Sequence, residues 1–167
     1  MPPDALTTLA TLVGARLKAQ GLMLATAESC TGGWVAQAAT AVAGSSDWFE
    51  RGFVTYSNAA KQEMLGVSAG TLAAHGAVSE PTAREMAAGA LARSRAQVAV
   101  AITGIAGPAG GSPEKPVGTV CFAWTRNSGA PVAQTRRFEG DRESVRRQSV
   151  IAALQGVLEL LEGRMRS

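Results

Sequence analysis

A single histidine, His75, and two cysteines, Cys30 and Cys121, are all the imidazole and thiol ligands that 167 residues offer. With no Cys-x-x-Cys pair and no second histidine, the chain supports neither a zinc site nor a disulfide framework, and no metal or other cofactor is implied. Aromatic residues make up 5% and do not interleave with basic ones, so nucleic acid is not the expected partner. No apolar run approaches the roughly 18 residues that a membrane span needs. The start, Met1-Pro2-Pro3-Asp4, has neither the basic region nor the apolar core of a signal peptide. These absences point to a cytoplasmic chain.

What is present suits one domain over residues 1–167. The chain is 46% apolar and 17% charged, enough to bury a continuous core unaided. The net charge of +3 comes from basic residues that crowd late, at Arg136-Arg137 and from Arg142 to Arg147. That cluster fits either a solvated helix face or the binding of one or two phosphates.

Strand and helix signals alternate along the chain. Asp4 caps a first helix with Leu6, Leu9, Val13 and Leu17 at helical spacing, closed by Gly21. Leu22 to Ala25 reads as a buried strand, followed by a helix from Trp34 to Thr40. Phe53 to Tyr56 is a second strand, with Ser57-Asn58 capping a helix that carries Lys61 and stops at Gly66. Ser68 opens a short helix to His75-Gly76, and Ser79-Glu80-Pro81 a longer one through Leu91. Val98 to Thr103 reads as the central buried strand. A loop from Gly104 to Pro116 follows, whose length and glycine content mark it as functional. Val117–Trp124 and Val132–Phe138, joined through Arg126-Asn127-Ser128-Gly129, form an expected antiparallel hairpin. Asp141 caps a last helix striped by Ile151, Leu154, Leu158 and Leu161. The expected fold is a three-layer α/β/α sandwich around a mixed, mostly parallel sheet of five or six strands.

In such a sheet ligands bind beyond the carboxyl ends of the strands. Three loops should meet there: Thr26-Ala27-Glu28-Ser29-Cys30-Thr31-Gly32-Gly33, Tyr56 to Lys61 with Asn58, and the loop from Thr103. A serine needs a base, and His75 lies between helices, away from strand ends. Lys61, one helical turn past a strand end, can serve when burial lowers its pKa. The N–H groups of Cys30, Thr31 and Gly32, read as the start of a helix, suit an oxyanion. Plainer roles stand beside these. Ser29 serves equally as a helix cap, Cys30 as a small core residue, Glu28 as a structural pair, Lys61 as a solvated helix lysine and Tyr56 as half-buried core. Trp34, Trp48 and Phe49 fit either a subunit interface or the core.

Taken together, several segments resemble the CinA carboxy-terminal domain family. They are Ala27 to Gly33; Tyr56-Ser57-Asn58 with Lys61 and Leu65-Gly66-Val67; His75 to Glu80; Thr103 to Pro108 with Gly110-Gly111 and Lys115 to Gly118; and Gly140-Asp141-Arg142. The resemblance implies a commonly dimeric α/β/α amidohydrolase that converts nicotinamide mononucleotide to nicotinate mononucleotide and ammonia, in pyridine-nucleotide recycling. It implies a dyad of Ser29 and Lys61, with Thr31 and the backbone of Gly104, Ile105, Ala106 and Gly107 at the oxyanion or substrate. Tyr56 would position substrate and Arg142 would meet its 5′-phosphate, from the same or a partner subunit. Glu28, Cys30, Gly32, Gly33, Asn58 and Thr103 complete the expected cleft. Larger family members carry an amino-terminal pyrophosphatase domain, and that activity is not expected here. The alternatives to this reading are a non-catalytic nucleotide-binding module linked to competence or DNA damage, or an amidase for another small amide.

Overall fold

The computed structural model describes residues 4–127 and 129–165. Ser128 of the expected hairpin turn and Met1 to Pro3 lie outside the described residues. The strands are β1 (Leu24–Glu28), β2 (Phe49–Val54), β3 (Val98–Gly104), β4 (Thr119–Arg126) and β5 (Val132–Arg137). The helices are α1 (Ala5–Ala19), α2 (Trp34–Thr40), α3 (Asn58–Leu65), α4 (Ala69–His75), α5 (Glu80–Ala92) and α6 (Arg142–Leu161).

The strands lie in the order β2-β1-β3-β4-β5. β1 pairs in parallel with β2 and with β3, whereas β4 is antiparallel to both β3 and β5. Four of the five strands therefore point the same way. Because β1 connects outward to β2 and the chain then returns to place β3 on its other side, the order reverses at β1, and the switch point opens a crevice beyond its end.

Helices cover both faces. α1, α2 and α6 lie against one side of the sheet, and α3, α4 and α5 against the other. Their starts follow side-chain chemistry: Asp4, Ser57, Ser68, Ser79 and Asp141 each accept a hydrogen bond from a first-turn N–H. Trp48 sits in the core, so of the three aromatics read as a possible interface patch it belongs to the interior. Trp34 and Phe49 pack partly buried against the same cluster.

Strand boundaries shift from expectation, by one or two residues at β3, β4 and β5 and by more at β1 and β2. β1 runs on through Thr26 and Glu28, both fully buried, because the Glu28 carboxylate is satisfied inside the fold. β2 begins at Phe49 rather than Phe53 and ends before Tyr56. Its Glu50 and Arg51 sit on an edge strand, where charge is tolerated on the open side.

Candidate active site

Ser29 follows directly on β1, and its N–H donates to Ile102 O of β3 at 3.0 Å. The chain then turns tightly, with Gly32 N donating to Ser29 O at 3.0 Å. Gly32 and Gly33 take φ values of 60° and 102°, a region that side chains with a Cβ rarely adopt. α2 consequently starts only at Trp34, with Gly33 as its cap. Ser29 does not cap the helix. That task falls to Glu28, whose carboxylate accepts from Val35 N at 2.8 Å and Ala36 N at 3.0 Å, and from Thr31 Oγ1 at 2.6 Å.

Three expected contacts change as a result. Glu28 is committed to the helix start and lies 1% exposed, so it faces no cavity. The Thr31 hydroxyl is fully buried against Glu28, and the Gly32 N–H is used inside the turn. The positive end of the α2 dipole is already met by a carboxylate.

With its hydroxyl free of capping, Ser29 meets Lys61. Lys61 Nζ lies 3.1 Å from Ser29 Oγ and donates to Tyr56 O at 3.1 Å and Thr55 O at 3.2 Å. Lys61 is 1% exposed, and among the described residues no carboxylate pairs with it. Burial without a counter-charge lowers its pKa below the ordinary 10.5. Lys61 Nζ donates to Ser29 Oγ as well as to the two carbonyls, and the Ser29 hydroxyl in turn donates to Tyr56 O at 3.4 Å; once neutral, the amine has a lone pair to offer the serine. Cys30 beside it is also buried, but there burial pushes the thiol pKa up to about 12, so it stays protonated and a poor nucleophile at neutral pH.

A cavity of about 170 Å³ opens onto this pair. Ser29, Cys30, Tyr56, Asn58, Lys61, Thr103, Gly104, Ala106 and Arg142 line it, together with Ala77 and Val78. Ile105 and Gly107 stand behind the wall: Ile105 N donates to Thr119 O, and Gly107 O accepts from Arg142 Nη1 at 2.7 Å. Thr103 Oγ1 donates to Ala77 O at 2.8 Å, joining β3 to the segment ahead of α5. Tyr56 is 63% exposed at the rim, its hydroxyl 3.4 Å from Arg142 Nη2. A larger hollow of about 310 Å³ lies on the other side of Val78, beside His75, Lys115 and Cys121. There the Thr135 hydroxyl donates to Glu80 Oε2 at 2.6 Å, a carboxylate and so a far weaker base than an amine.

The late arginines divide into two kinds. Arg142 and Arg146 both turn inward onto backbone carbonyls near the site, Arg146 onto Cys30 O and Thr31 O. Arg146 is half-buried there and does not fit a solvated helix face, whereas Arg142 stays exposed. Arg146 was not singled out from sequence, because its partners are main-chain atoms more than 100 residues away, which no local pattern encodes.

A Ser–Lys pair at the switch point of an α/β/α sandwich defines a class, that of enzymes able to activate a serine without histidine. The CinA C-terminal domain model matches residues 6–161, and the chain belongs to that family. It is 59% identical to the nicotinamide-nucleotide amidohydrolase PncC of Escherichia coli (strain K12), over 93% of this chain and 94% of that protein. It is 54% identical to the protein of the same name from Pseudomonas putida, over 94% and 98%. Among solved structures, the competence/damage inducible protein CihA from Agrobacterium tumefaciens superposes with a TM-score of 0.92 at 48% identity, over 97% of this chain and 98% of that one.

Proposed function

We propose that this chain is a nicotinamide-nucleotide amidohydrolase, which hydrolyses the carboxamide of nicotinamide mononucleotide to nicotinate mononucleotide and ammonia. The observation that carries the reading is the 3.1 Å approach of a buried, unpaired lysine to a serine lining the cavity. The names of the close relatives point to the same substrate.

In this reading Ser29 Oγ attacks the amide carbon while its proton passes to the neutral Lys61 Nζ. The ammonium so formed is held by the carbonyls of Thr55 and Tyr56. The carbonyl oxygen becomes an oxyanion, for which the backbone N–H groups of Cys30 and Ala106, two residues of the cavity wall, remain without an acceptor among the described residues. Collapse of the intermediate expels ammonia, which takes the proton from Lys61 and leaves an ester on Ser29. Water then attacks that ester, giving its proton to Lys61, and the acid departs as Ser29 recovers a proton. Arg142 and Tyr56 at the rim suit the 5′-phosphate, because a guanidinium fork matches phosphate oxygens. Arg142 here serves the cavity of its own chain. The same reading takes the chain as a cytoplasmic homodimer working in pyridine-nucleotide recycling. No helix of the described residues is long and apolar enough to cross a membrane.

The test is ammonia release from nicotinamide mononucleotide by purified protein in the presence of chelator. Ser29→Ala and Lys61→Met are each expected to lower kcat at least ~1000-fold, as loss of a nucleophile or its base does, while circular dichroism stays unchanged. Turnover near that of the wild type in either folded variant rejects the dyad.

A further inference from the structure

Arg146 reaches from α6 back to the turn that carries the nucleophile. Its Nε donates to Cys30 O at 3.0 Å and its Nη2 to Thr31 O at 3.1 Å. The guanidinium lies 5.6 Å over the ring of Trp34, the first residue of α2. Among the described residues it makes no ion pair. A planar fork is the cation suited to fixing two acceptors at once, and lysine cannot reproduce it.

The same turn is gripped on its other side by Glu28, which holds the Thr31 hydroxyl and the first N–H groups of α2. Anion and cation thus clamp four residues whose glycines would otherwise leave them loose. In a planar trans peptide the C=O and N–H point in opposite directions. Drawing the Cys30 carbonyl toward α6 therefore aims the Thr31 N–H away from α6, and that N–H has no acceptor among the described residues.

We propose that Arg146 is a positioning residue for amide hydrolysis: by holding the carbonyls of Cys30 and Thr31 it fixes the turn that follows the nucleophile, and so the place of Ser29 Oγ and the Cys30 N–H at the cavity where the oxyanion forms. The inference rests on the amidohydrolase reading above. Its effect belongs to the transition state rather than to substrate binding, since the side chain touches backbone and not the cavity.

The experiment compares wild type, Arg146→Met and Arg146→Lys by steady-state ammonia release, and by the rate at which a fluorophosphonate labels Ser29. In that labelling Ser29 Oγ bonds to phosphorus, fluoride leaves and the hydroxyl proton passes to Lys61. Both variants are expected to lose roughly 100-fold in kcat, the scale of one misplaced oxyanion donor, with KM within about threefold. Labelling slows in parallel, and added free guanidinium restores part of both rates in Arg146→Met. Folded variants that keep kcat, lose it through KM alone, recover it fully with lysine or gain nothing from guanidinium overturn the proposal. If Arg146→Met does not fold, Trp34→Leu removes the ring under the guanidinium and is expected to lower kcat about tenfold, a fraction of the full loss; unchanged kcat there overturns the proposal as well. Wild type that labels at Ser29 but releases no ammonia defeats the substrate reading alone, and the labelling rates then decide the role of Arg146. Wild type that does neither overturns both.

Discussion

The two faces of the sheet are built from different sizes of residue. Toward α1, α2 and α6 the buried strands present Leu24, Val98, Val100, Ile102, Val120, Phe122 and Trp124; toward α5 they present Ala27, Ala99, Ala101, Cys121 and Ala123. α5 answers with Ala83, Ala87 and Ala90 around a single long side chain, Met86. The large face supplies most of the apolar area removed from water, the main stabilising term. The small face lets a helix layer come close, and Lys61 rides on that layer. At Gly89 of α5 an added Cβ would stand 1.9 Å from Leu65 O, at the end of the helix that carries Lys61. The bulk of the large side chains thus lies on one side of the sheet and the layer that places Lys61 on the other.

That division can be broken deliberately. Trp124→Ala on the large face removes a fully packed ring stacked on Phe122 at 5.5 Å, and a hydrogen bond from its Nε1 to Ala153 O. It is expected to cost about 3–5 kcal/mol in denaturant unfolding, while kcat of the folded fraction changes little. Gly89→Ala on the small face should do the reverse. Its helix propensity gain of about 1 kcal/mol offsets part of the clash, but α3 must shift. A displacement near 1 Å at the Ser29–Lys61 pair is expected to lower kcat roughly 100-fold, read alongside a modest change in Tm. If Gly89→Ala keeps full activity, the small face does not set the position of the base.

The smallest expected effect is on pH dependence. Folding lowers the pKa of Lys61 through burial, so between its folded value and 10.5 the unfolded chain binds more protons than the folded one. Stability contributed by this group therefore rises with pH across that window, and is diminished below it. Turnover should rise with pH through the same folded pKa as the amine becomes neutral. Lys61→Met is expected to remove that rise in stability, measured as Tm against pH; a variant with the wild-type slope would mean that the buried amine is not the group responsible.

Much of this arrangement is visible before folding. The caps Asp4, Ser57, Ser68, Ser79 and Asp141 announce themselves because a short polar side chain satisfies N–H groups within three residues. Val98 to Thr103 is legible as the central strand, and its alternation of Val, Ala, Val, Ala and Ile already encodes one large and one small face. Ser29 and Lys61 stand out because each follows a strand end. Less legible was the run of β1 on to Glu28, which read as loop because a buried carboxylate is plausible only once its partners are known. β2 was misplaced for a related reason: Phe49 to Val54 mixes charge with apolar residues, and pairing with β1 rather than its own pattern makes it a strand.

The sequence by itself determined what acts over a few residues: the helix starts, the buried strands, the glycine turn after β1 and the nucleophile and amine one would choose. Only the tertiary structure decided that Glu28 caps α2 and leaves Ser29 free, that Lys61 is stripped of water and held at 3.1 Å, and that Arg146 grips the turn from α6. Each of these depends on groups distant along the chain meeting in a place where water is excluded, and it is that exclusion which lowers the pKa of an ordinary lysine.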